Sequence, residues 1–104
     1  PMGSPCFVYV SGDDEVCYVA DDGDVSTTIV PGARLSRLVP GLDDVACVVT
    51  SDDSGESVVL VHLRSHQILC RMARFDSCID FVALTNDRHI FIGHNDDKTY
   101  EVAI

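Results

Sequence analysis

The residues of this chain that could do chemistry are five cysteines, four histidines and a series of paired aspartates. The cysteines stand at positions 6, 17, 47, 70 and 78, and no two have the C-x-x-C spacing that presents paired thiolates to a metal. Cys17, Cys47 and Cys70 each lie inside an apolar run, where a thiol behaves as a small buried hydrophobe. Their number is odd, so they read as reduced thiols of an intracellular protein, with the cytoplasm as the expected compartment. His62, His66, His89 and His94 show no ligand spacing of their own, so neither a metal nor a cofactor is expected.

The aspartate pairs are Asp13-Asp14, Asp21-Asp22, Asp43-Asp44, Asp52-Asp53 and Asp96-Asp97. None sits in a calcium loop, which alternates oxygen ligands around a central glycine and ends on a glutamate. Asp is also a turn residue, because its carboxylate accepts from nearby backbone amides, and the pairs read as turns. A nucleophilic site could be drawn from Ser65, His66 and Asp76, or from Cys78 and His94. No Gly-x-Ser-x-Gly elbow and no glycine-rich phosphate loop accompanies them. The chain is therefore expected not to be an enzyme.

Charge narrows the partners. Seventeen acidic against seven basic residues give a formal net charge of −10. A surface of that sign repels nucleic acid, whose phosphates require clustered Lys and Arg, and it repels anionic membrane. No apolar run reaches the roughly 20 residues of a membrane helix. Among the few cations, Arg71 and Arg74 are close enough to form a local patch for an acidic partner.

What must position these residues is a run of short strands. Residues 1–4, Pro-Met-Gly-Ser, read as the scar of a cleaved expression tag, leaving residues 5–104 as one all-β domain. Strands are expected over 6–10, 15–20, 25–30, 45–50, 57–63, 67–73, 78–84, 88–93 and 98–104. Between them stand Ser-Gly-Asp-Asp, Asp-Asp-Gly-Asp, Pro-Gly and similar turns, with a longer loop expected over 51–56. Residues 33–39 (ARLSRLV) fit either a strand or a short helix, and their neighbours favour a strand. Residues 57–63 are apolar on both faces, so that strand is expected to be covered on both sides.

The strands recur at a fixed offset. Glu15 and Ser57 stand 42 residues apart, Ser57 and Lys98 stand 41 apart, and Val25 and Gln67 stand 42 apart. A period near 40 with four strands per unit is that of a propeller blade. The stretch from Val58 to Ile104, with Asp96-Asp97 and Arg64-Ser65-His66-Gln67 in its turns, resembles WD-repeat-like propeller blades. The resemblance implies three strands of one blade, four of the next and three of a third, too few to close a ring alone. Two alternatives to this architecture are a compact β-sandwich or barrel and, with a helix over 33–39, a polo-box-like α+β module.

Open strand edges follow from an incomplete ring. The chain is expected to be a non-catalytic protein–protein interaction or scaffold module. It would bind a protein partner, form a homo-oligomer through its edges, or complete a larger propeller. The edge candidates are the first strand, with Phe7, Val8, Tyr9 and Val10, and the last, with Lys98, Tyr100, Val102 and Ile104. The alternative is a small monomeric β domain that binds a peptide or small ligand.

Overall fold

Val, Ile, Thr and Tyr fill the runs between the turns, and their branched or flat side chains suit a pleated surface better than a helix. The computed structural model of the chain describes residues 5–12, 14–42, 44–76, 79–87, 89–94 and 99–103. In it these runs form β1 (Pro5–Ser11), β2 (Glu15–Ala20), β3 (Val25–Ile29), β4 (Ala33–Leu38) and β5 (Val45–Asp52). The second half holds β6 (Gly55–His62), β7 (Gln67–Phe75), β8 (Ile79–Leu84), β9 (His89–His94) and β10 (Thr99–Ala103). No helix occurs among the described residues, so the α+β alternative does not apply, and residues 33–38 are a strand.

The ten strands form three antiparallel meanders in the orders β1-β2-β3, β4-β5-β6-β7 and β10-β9-β8. This is the division into three, four and three strands read from the sequence. The meanders stack face to face. One core joins the second and third sheets, with Val45, Cys47, Val49, Val58 and Leu60 against Ile79, Val82, Ile90 and Ile92. The other joins the first and second, with Val16 and Tyr18 against Ala46, Val48, Val59 and Val61. Alternation makes this possible: Val45, Cys47 and Val49 point one way from β5, and Ala46 and Val48 the other. β6 is buried along nearly its whole length, as its two apolar faces require. Each of these buried branched side chains contributes about 1.5–3 kcal/mol.

Residues 51–56 differ from expectation. They do not form a loop. β5 and β6 pair as far as Asp52↔Gly55, leaving a two-residue turn. Ser-Asp-Asp-Ser-Gly-Glu has loop composition, but Asp52 turns its carboxylate onto the Ser54 amide (2.8 Å) and closes the hairpin locally. Gly55 has φ 142°, and a Cβ there would collide with the Phe75 carbonyl of β7.

Polar clasps tie the layers. Glu56 is buried and takes Nε and Nη2 of Arg34 at 2.8 and 3.0 Å. The same carboxylate accepts from the Ile79 amide, and Arg34 donates to the Ile79 carbonyl. Arg37 Nε donates to the Val82 carbonyl at 2.9 Å. Two arginines of β4 thus hold β8 of the next sheet. At the far end Arg64 grips Asp44 (2.8 Å), whose carbonyl accepts from the Leu63 amide at 2.7 Å.

Candidate interaction surfaces

Of the nucleophilic sets drawn from the sequence, the one made of Ser65, His66 and Asp76 does not come together: Ser65 and His66 pair with other residues. Ser65 Oγ lies 2.7 Å from His62 Nδ1, whereas His66 Nδ1 faces Thr28 Oγ1 at 2.9 Å. Cys78 and the His94 side chain lie outside the described residues. Among the described residues no three His, Cys, Asp or Glu side chains converge as a metal site would require. Among the described turn aspartates, Asp14, Asp22 and Asp52 accept from backbone amides, while Asp13, Asp43, Asp96 and Asp97 lie outside the described residues. Asp22 Oδ1 accepts from the Asp24 amide at 3.0 Å, and Asp14, at φ 60°, accepts from the Gly32 amide at 3.1 Å. Burial pushes the Cys47 thiol up to about 12, so it stays neutral inside the core.

Two surfaces remain. The first is the outer face of the first sheet. Register aligns three rows across β1, β2 and β3: Phe7-Val19-Val25, Tyr9-Cys17-Thr27 and Ser11-Glu15-Ile29. The opposite face of this sheet carries Val16 and Tyr18 into the core, so these rows look away from the other two sheets. Phe7 is 52% exposed, Tyr9 44%, Val25 58% and Ile29 61%. The Phe7 and Tyr9 rings stand 6.2 Å apart, and the Cys17 thiol bonded to Tyr9 holds its phenol above the ordinary tyrosine range. The face has one carboxylate, Glu15, which accepts from Ser11 Oγ at 2.9 Å.

The second surface is a groove of about 580 Å³ where three sheets converge. Phe7 and Val8 come from β1, Arg37 and Leu38 from β4, Val82 and Leu84 from β8. Ser36 also lines it, and its buried hydroxyl has no hydrogen-bond partner among the described residues. Among the described lining residues Arg37 is the only charged side chain, and its Nε donates to the Val82 carbonyl.

The residues named from sequence divide between these places. Phe7 and Tyr9 lie on the outer face, whereas Val8 and Val10 turn inward against the core. Tyr100 stacks on Phe75 with centroids 5.0 Å apart, and Val102 packs against the core of the second and third sheets. Lys98 and Ile104 lie outside the described residues. Arg74 is engaged by Asp52 (2.9 Å) and Ser57 (2.9 Å) and also reaches Ser54, so it clasps the β5–β6 turn. Arg71 is exposed on β7. Sequence reasoning missed Val25, Ile29, Ile68 and Leu69 as exposed apolar residues and Ser36 and Arg37 as groove residues. The available signal was the Val-x-Thr-x-Ile alternation of β3, which marks a face but not whether that face is covered.

Comparison of the chain with family models, curated proteins and solved structures finds no match.

Proposed function

We propose that this chain is a non-catalytic protein–protein interaction module, and that it associates with a second copy through the outer face of its first sheet. The carrying observation is the exposure of Phe7, Tyr9, Val25 and Ile29 on that one face. Inside the chain, apolar sheet faces pack against a neighbouring sheet at two interfaces. Stacking two outer faces would repeat that packing between copies, at the spacing of about 10 Å typical of packed sheets.

The size of the contact sets the kind of complex formed. Three strands about 4.8 Å apart and three rows about 7 Å apart give a patch on the order of 300 Å². A stable complex buries about 800 Å² per partner. The dimer is therefore reversible and concentration-dependent. Each copy carries a net charge of −10, so raising salt should strengthen the association by screening repulsion, the reverse of an ionic interface.

The test is sedimentation velocity at low and high salt, with Ile29→Lys as the variant. Association that grows with salt and is lost in the variant supports the reading. Association unaffected by the variant moves the contact elsewhere and refutes it. β10 is also an edge strand, with Tyr100 packed on Phe75 and Val102 against the core. A Val102→Pro variant would disturb that packing as well as the edge.

A further inference from the structure

We infer that the groove beside β1 is a strand-acceptor site, which takes an extended peptide with an acidic residue among apolar ones as a fourth strand of the first sheet. Three independent observations lead there.

The first is the repeat. The 42-residue offset aligns β2 with β6, through Glu15 and Ser57, and β3 with β7, through Val25 and Gln67. β6 and β7 hold the third and fourth places of the order β4-β5-β6-β7. β2 and β3 therefore hold the third and fourth places of their sheet, and β1 the second. The first place is held by β4 in the second sheet and, by the 41-residue offset from Ser57 to Lys98, by β8 in the third. In the first sheet no described strand holds it.

The second is the position of the groove. It touches Phe7 and Val8, Ser36 and Arg37, Val82 and Ala83. Consecutive residues of a strand point to opposite faces, so a cavity that meets both runs along the strand edge. The edge of β1 away from β2 has no strand partner among the described residues, and an unpaired edge presents its amides and carbonyls to an incoming chain. A groove of about 580 Å³ has room for a short extended segment.

The third is the lining chemistry. Apolar walls suit alternate apolar side chains. Arg37 is the only charged side chain among the described lining residues; its Nε is held by the Val82 carbonyl, and its remaining N–H groups favour an acidic residue locally, against the chain's net charge of −10. The unpartnered Ser36 hydroxyl supplies a further polar group in the same wall.

The chain's own first-place strands supply the probes. The segment 79–84 of β8 is Ile-Asp-Phe-Val-Ala-Leu, acidic and apolar, and the segment 33–38 of β4 is Ala-Arg-Leu-Ser-Arg-Leu, basic. Both, acetylated and amidated, would be titrated into the isotopically labelled protein and followed by amide chemical shifts. The acidic peptide should shift the amides of β1 and of residues 36–38 and 82–84. It should bind at least about tenfold more tightly than the basic peptide, and proline at its fourth position should abolish binding. Arg37→Gln should weaken binding about fivefold or more, with Arg37→Lys restoring most of it. The peptide comparisons stand even if a protein variant fails to fold. Absence of β1 shifts at millimolar peptide overturns the site, and equal binding of the two peptides overturns the role of Arg37. A self-associated protein whose mass falls as the peptide is added would make a second copy the occupant and overturn the peptide assignment. Phe7 belongs to both surfaces, so the mass and peptide measurements are made in Ile29→Lys, where the outer-face contact is removed; the two proposals then fail separately.

Discussion

Replacing Glu56 by alanine removes the one carboxylate that joins three strands of two sheets. The side chain is 7% exposed and receives Arg34 of β4 at 2.8 and 3.0 Å together with the amide of Ile79, a fully buried residue. Taking an acceptor from a buried amide costs about 1–3 kcal/mol. The guanidinium contribution is smaller, because Arg34 is 41% exposed and water replaces part of what it loses; about 1 kcal/mol is a fair discount. Glu56→Ala should therefore cost about 3 kcal/mol. Arg34→Ala should cost a similar amount, since it leaves a buried carboxylate without its counter-charge. The two changes break one node, so the double variant should lose about 4 kcal/mol, a coupling of about 2 kcal/mol. Urea unfolding followed by circular dichroism reads this directly. With a slope near 1.5 kcal/mol/M, each single variant moves the midpoint by about 2 M. A domain of this size has about 5–15 kcal/mol in total, so the single variants remain folded in water unless the protein sits at the low end. Losses below about 1 kcal/mol for both single variants, or strict additivity, would refute the node.

Four further outcomes follow from local geometry. Gly55→Ala should destabilise by about 2–3 kcal/mol in the same urea assay, because its Cβ meets the Phe75 carbonyl and its φ is 142°; a neutral effect would mean β6 and β7 are not paired there. Thiol labelling of the native protein should modify exposed Cys70 well before buried Cys17 and Cys47, as peptide mapping would show. The Cys47 thiol is raised in the folded state, so its contribution is present below about pH 9 and lost as pH climbs toward 12; at about 1.4 kcal/mol per tenfold change in ionisation this reaches about 4 kcal/mol, and Cys47→Ala should flatten that part of the alkaline stability curve. Arg74 and Ser54 hold the Asp52 carboxyl well below its usual range, so its contribution is present above about pH 4 and lost on acidification. The melting temperature of Asp52→Asn should accordingly fall short of wild type at pH 7, with the gap narrowing steadily as pH falls below about 4.

Strand identity was legible because β-branched runs and turn residues alternate in this chain with little ambiguity. Glu15–Ala20 is bounded in the sequence by Gly-Asp-Asp and Asp-Asp-Gly, and β2 begins and ends there. Stacking was legible in part, since only a strand apolar on both faces, such as β6, demands two covering layers. The 51–56 segment was misread because composition records polarity but not the short-range Asp52–Ser54 bond that closes its turn. The Arg34–Glu56 node was invisible for another reason. Its members are 22 residues apart and look like two ordinary surface charges until β4, β5 and β6 pair. The outer-face patch was half legible: Phe7 and Tyr9 were named for their strand, while Val25 and Ile29 were not singled out within theirs. Nothing in an alternating strand tells which of its faces a neighbour will cover.

The most direct test of the interaction reading is light scattering of the wild-type chain and of Tyr9→Lys/Ile29→Lys across a concentration series at about 0.3 M salt, where repulsion between the acidic copies is largely screened. The mass of the wild type should rise from 11.3 kDa toward twice that value, while the variant stays at 11.3 kDa with an unchanged circular dichroism spectrum. A wild type that holds 11.3 kDa at every concentration, or a variant that associates as the wild type does, would contradict self-association through the outer face of the first sheet.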